Sequence, residues 1–223
     1  MVKMSRLVAL AFLWLPLAWS QTTVEPTAQP AGIATKDHPD LVDKLLGIAG
    51  PAEPTELTQK KRFQLFAVSV VGPVPVLAEA AGAAVGQWAN SPKEWGQGWD
   101  AFGKRAENDL EYNGVRQTIA YGTSILFHED NRYFASHKHG FWNRTGYAFL
   151  STVTARHPDG RETLSISTVA GVFGAAGISS VWGPPSLGGV RGIGENAGIS
   201  FGCTALFNVV REFLPDVLHR PQK

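Results

Sequence analysis

The residues best equipped for chemistry cluster at positions 128–139: His128, Glu129, Asp130, Arg132 and Tyr133 in "HEDNRYF", then His137 and His139 in "HKH". Imidazoles and carboxylates are suitable donors for a metal. The spacing argues against one. There is no H-E-x-x-H, which would place two imidazoles on one helical face. His137 and His139 can chelate from a loop, but "SHKHG" reads equally as an exposed loop, and no cofactor is expected. The second chemistry is acid–base: His128, Glu129 and Asp130 would exchange protons while Arg132 and Tyr133 hold an anionic substrate.

A helix junction accounts for the same residues without a reaction. A helix ending near Phe127 puts His128 close to its carbonyl end, where a cation is favoured. Asp130 can cap the following turn. Arg132 can pair with Glu129 or Glu111, and Tyr133 and Phe134 can enter the core. This reading is preferred, because ion-pair networks imitate catalytic sites.

"FWNRTGYA" (141–148) offers Arg144 among Phe141, Trp142 and Tyr147. Such an arginine stacks on aromatic rings or holds a phosphate or carboxylate. Arg144 and Trp142 are therefore the candidate ligand-binding residues. Trp142 and Tyr147 also suit a membrane–water interface. Asn143-Arg144-Thr145 matches a glycosylation sequon. The chain has no G-x-S-x-G, no P-loop and no dinucleotide fingerprint.

The N-terminus suggests where these residues work. Residues 1–20 carry Lys3 and Arg6, then an apolar run Leu7–Leu17, then Ala18 and Ser20 before Gln21. That is the pattern of a cleaved secretory signal, and the run is short for a span, which needs roughly 20 apolar residues. Removing it leaves 18 basic against 19 acidic residues. Such a balance excludes a nucleic-acid partner, which needs a basic surface. The single cysteine, Cys203, forms no internal disulfide and is expected to be a small buried hydrophobe.

Residues 21–57 form a Pro-punctuated linker, with a short helix possible around "HPDLVDKLLG". The domain then occupies 58–217, with a tail at 218–223. Its expected fold is all-α, a bundle of about five helices. Thr58 is a candidate N-cap. Residues 62–88 read as one apolar segment broken or kinked at Pro73 and Pro75. Helices are expected at 99–127, 141–155, 165–182 and 195–214, the fourth capped by Ser165 or Ser167 and the last ended by Pro215. "RHPDGRE" (156–162) is a turn and 183–194 a Gly/Pro loop. Residues 163–170 alternate like a strand but are taken as helix.

Small residues recur four apart: Ala78, Gly82 and Gly86; Ala170 and Gly174; Gly171 and Ala175; Gly194, Gly198 and Gly202. Glycine costs roughly 1 kcal/mol against alanine inside a helix, so its repetition implies close helix approach of the small-xxx-small kind. That packing is typical of membrane helices. The chain is expected to be membrane-associated, with self-association through Gly/Ala faces open to it and Glu79 turned into the bundle. Moderate hydrophobicity would still permit export, to the periplasm or an outer-membrane-associated site.

"HEDNRYF", "FWNRTGYA", "AAGISSVW" and "ALFNVVREFLPD" together resemble a family of exported bacterial proteins of no established activity. In that family proline often stands where Asn131 is here. The resemblance runs from about Lys61 to Val217. It implies one intact exported domain and assigns no catalytic residue. The reading is thus a non-enzymatic cell-envelope protein. An envelope hydrolase or lipid-modifying enzyme built on the His128 cluster, and a lipid- or ligand-binding bundle, stand as alternatives.

Overall fold

A computed structural model describes residue 52 and residues 55–218, all within one compact unit, Leu41–Lys223. The leader, most of the linker with its possible short helix, and residues 219–223 of the tail lie outside the described residues. The fold is an all-α bundle. Its helices are α1 (Gln59–Val71), α2 (Pro73–Trp88), α3 (Trp99–Leu126), α4 (Phe141–Leu150), α5 (Ile166–Ser179) and α6 (Gly189–Leu218). A small antiparallel hairpin, β1 (Thr154–Arg156) and β2 (Glu162–Leu164), joins α4 to α5.

The central helix is α3. It packs most extensively on α5, while α2 lies against its first half and α1 against its second. The last helix, α6, packs on α5 and α4. Thr58 caps α1 by accepting from Lys61 N at 3.3 Å. Gly72, with extended φ and ψ, ends α1, and Pro73 starts α2. Both prolines fall in the first turn of α2, where no intrahelical donor is lost. The 89–98 loop is organised by buried Arg105. It donates to Ser91 O (2.8 Å), Pro92 O (3.1 Å), Gly96 O (3.0 Å) and the Gln87 side chain.

Four expected boundaries move. The 141–155 helix stops at Leu150, because Thr154–Arg156 pairs with Glu162–Leu164 around the Pro-Asp-Gly turn, where Gly160 has φ +82°. The 163–170 segment divides: its start is strand, and helix begins after Ser165, whose side chain accepts from Thr168 N at 3.0 Å. The 183–194 loop is shorter than expected: 183–188 are loop with a 3-10 turn at Pro185–Leu187, and α6 begins at Gly189. Gly192 makes this possible, since a Cβ there would sit 2.5 Å from Leu187 C. Nor does Pro215 end α6. It removes one donor near the helix end, while Arg144 grips Glu212 and Asp216 on either side of it.

Small residues serve packing in only part of the chain. A Cβ at Gly171 would lie 2.9 Å from Arg116 O, and one at Gly174 2.8 Å from Ile119 Cδ1. Gly86 lies against Ser91 and Arg105, and Gly82 faces Asp109. Ala78 is exposed. Gly194, Gly198 and Gly202 depart from expectation: a Cβ on any of them meets nothing within 4 Å, so no described helix packs there. Cys203 is exposed on α6, not buried.

Candidate functional site

"HEDNRYF" follows directly from α3. Phe127 caps that helix and His128 turns the chain with φ +55°, leaving its ring exposed. The reversal sends Glu129 inward, where it is 1% exposed. Its carboxylate meets the first turn of α5. Oε1 accepts from Ile166 N at 2.8 Å, and Oε2 from Ser167 N at 2.9 Å and Ser167 Oγ at 2.5 Å. Ser165 Oγ lies 3.2 Å from Oε2 and 2.9 Å from Asn131 Oδ1, and Asn131 Nδ2 donates to Ser167 Oγ at 2.6 Å. A helix N-terminus offers unpaired N–H groups and the positive end of the helix dipole. Glu129 satisfies both from another part of the chain. Its backbone is held as well: Glu129 N donates to Ser124 O, and Arg62 Nη1 donates to Glu129 O at 2.6 Å.

The rest of the motif is similarly engaged. Asp130 exchanges backbone hydrogen bonds with Arg156, extending the hairpin by one bridge. Its carboxylate accepts from Arg132 N, and from Arg132 Nη2 at 2.7 Å. Arg132 therefore pairs with Asp130, not with Glu129 or Glu111, and also donates to Thr55 O at 2.7 Å. Phe134 is buried, with the Arg156 and Arg132 guanidinium groups 4.2 and 5.4 Å from its ring centroid.

Tyr133 leads to a second buried carboxylate that sequence reasoning missed. Its OH donates to Glu212 Oε2 at 2.5 Å. Ser136 Oγ and Arg144 Nε donate to Glu212 Oε1 at 2.6 and 2.8 Å, and Ser136 N to Oε2 at 3.2 Å. Arg144 also bonds Glu212 O and Asp216, and lies 4.4 Å from the Phe213 ring centroid. Burial works to raise the Glu212 pKa, but these donors outweigh it and hold the group below 4.5. Burial, and the proton given to Glu212, push Tyr133 upward. Glu212 lies in "NVVREFLPD", three positions before Pro215, where no local pattern marks it.

The candidates therefore do not converge. Arg144 is 68 positions from Glu212 in sequence and spent upon it. Trp142 is 80% exposed, edge-on to Phe141. His128, His137 and His139 are exposed. Among the described residues no three His, Cys, Asp or Glu side chains are grouped to hold a metal. A hollow beside the motif, lined in part by Asp130, Arg132, Tyr147, Arg156 and Glu162, has a volume of about 10 Å³, roughly room for one water. No family model matches the chain, and no curated protein or solved structure is found to be similar to it.

Proposed function

We propose that this protein is a non-enzymatic, membrane-embedded bundle of the cell envelope. The "HEDNRYF" segment in this reading is the polar knot that holds the helices together at one end. One observation carries the proposal, the inverted placement of side chains. Trp88, Trp99 and Trp142 are 88, 89 and 80% exposed, and Val71, Leu77, Phe173, Ile178, Val181, Ile199 and Leu206 also face outward. Inside are small residues such as Ala83, Ala148, Ala175, Ala176 and Ala205, and polar ones: Arg105, Asn113, Glu129, Ser167, Asn208 and Glu212. A helix in a water-soluble bundle turns its apolar stripe inward. Lipid removes that driving force and leaves small-residue packing and interhelical hydrogen bonds.

The helix lengths agree. Within Gln59–Trp88 an 18-residue window has a mean hydropathy of 1.7 and is 6% buried in the bundle. Laid end to end at 1.5 Å per residue, α1 and α2 exceed a hydrocarbon core of about 30 Å. Ile166–Ser179 and residues 196–210 are uncharged, and Arg211, Glu212 and Asp216 lie beyond the second of these. The exposed tryptophans suit the two interfaces. An enzyme reading would need an open pocket fed by free carboxylates, whereas Glu129, Asp130 and Glu212 are occupied by caps and ion pairs. Flotation of carbonate-washed membranes tests the proposal: the chain should rise with the lipid.

A further inference from the structure

Arg211 differs from every other arginine among the described residues. Arg62, Arg105, Arg116, Arg132, Arg144, Arg156, Arg161 and Arg191 each donate at least one hydrogen bond. For Arg211 there is neither a hydrogen bond nor an ion pair; its guanidinium lies 4.7 Å from the Phe207 ring centroid. Its Nε is shut off from solvent and meets no acceptor. Neighbouring Glu212 offers no relief, being taken up by Tyr133, Ser136 and Arg144. Burial without a counter-charge pushes the Arg211 pKa down to about 10, so the group is still a cation at neutral pH. A half-buried cation without an acceptor is unfavourable unless something supplies one.

Its surroundings indicate the supplier. Arg211 follows directly on the uncharged 196–210 stretch of α6, just past exposed Leu206 and Val210. Exposed Lys60 and Lys61 adjoin Arg62, which bonds Glu129 O, and exposed Lys138 follows Ser136, which bonds Glu212 beside Arg211; none of the three is in an ion pair among the described residues. Exposed Phe141 and Trp142 are tied to α6 by the Phe141–Phe213 contact at 5.3 Å. Unpaired cations and aromatic rings where an apolar surface ends make a headgroup-level environment.

We infer that Arg211 binds the phosphate of an anionic phospholipid headgroup, whose acyl chains lie along the uncharged 196–210 stretch of α6. The inference rests on the membrane reading above. A free phosphate fits less well, because a strongly hydrated dianion needs several donors and Arg211 stands alone. A phosphodiester carries one charge and is brought to the site by its own chains.

The full chain in neutral detergent micelles provides the test. Its melting is followed by tryptophan fluorescence with dioleoylphosphatidylglycerol, dioleoylphosphatidylcholine or sodium phosphate added. The glycerol lipid should raise the midpoint, and Arg211→Gln should weaken its apparent affinity about fivefold, the contribution of one basic residue near such a surface. An equal shift from the choline lipid, an undiminished response in Arg211→Gln, or the same shift from sodium phosphate would overturn the inference. If Arg211→Gln does not fold, lipid retained by the purified wild-type chain decides. Enrichment of anionic lipid over the source membrane supports the site, and retention in the membrane's own proportions overturns it. Carbonate release with the glycerol-lipid response intact would defeat membrane residence alone.

Discussion

Glu129 and Ser167 are 38 positions apart in sequence, yet the Ser167 amide and hydroxyl both donate to one oxygen of the Glu129 carboxylate, at 2.9 and 2.5 Å. The carboxylate of one junction accepts the first amides of a distant helix, beside that helix's own N-cap Ser165. The segment after α3 is thereby locked to the start of α5, and the α3–α5 contact, the most extensive between helices of the bundle, is fixed in register.

Removing that carboxylate should be costly. Glu129→Ala leaves the Ile166 and Ser167 amides buried without an acceptor, and should lower stability by about 3 kcal/mol. Glu129→Gln keeps an acceptor but loses the charge facing the helix dipole, and should cost about half as much. Denaturant unfolding in detergent measures both. His128→Ala, an exposed residue held by no cap, should change stability little.

Glu212 and Arg144 should show strong coupling. Arg144→Ala strands the buried Glu212 charge, while Glu212→Ala leaves Arg144 with Asp216 as its ion-pair partner, and a double-mutant cycle should return about 2 kcal/mol. The pair also sets an acid limit. The folded Glu212 pKa lies below the usual 4.5, so its stabilisation is complete above that pH and is lost as pH falls through the folded value. Wild-type melting temperature should therefore drop below about pH 4.5, and Glu212→Gln should flatten that part of the profile. An equally steep drop in the variant would assign it to other carboxylates.

How far the sequence could be read follows the range of each interaction. Thr58, the break at Pro73 and the Ser165 cap were legible, because capping and proline geometry act within one turn. The junction role of "HEDNRYF" was legible in outline: Asp130 turns the chain, and Tyr133 and Phe134 are buried. Its partners were not. Glu129 bonds α5 and Tyr133 bonds Glu212, 79 positions away, and no local pattern encodes such distances. The Gly/Pro run at 183–194 looked like a loop on local rules; 183–188 are loop, and 189–194 became helix, with Gly192 letting the Leu187 backbone approach. The Gly194–Gly198–Gly202 spacing marks a helix face that no other described helix covers.

Glycines on α5 and α6 should respond oppositely. Gly171→Ala forces a methyl to within 2.9 Å of Arg116 O, so α3 and α5 must separate, at a cost of about 2 kcal/mol. Gly198→Ala meets nothing and should gain up to about 1 kcal/mol from helix propensity. Thermal unfolding of the two variants beside the wild type provides the comparison. Loss of stability in Gly198→Ala would indicate a neighbour on that face.

Membrane residence is the central claim and has the most direct measurement. Membranes from expressing cells are washed in alkaline carbonate and floated through a density gradient, which separates lipid-embedded chains from aggregates. With large apolar side chains outward and Arg105, Glu129 and Glu212 within, the account predicts that the chain floats with the lipid. Full release into the soluble fraction would contradict it.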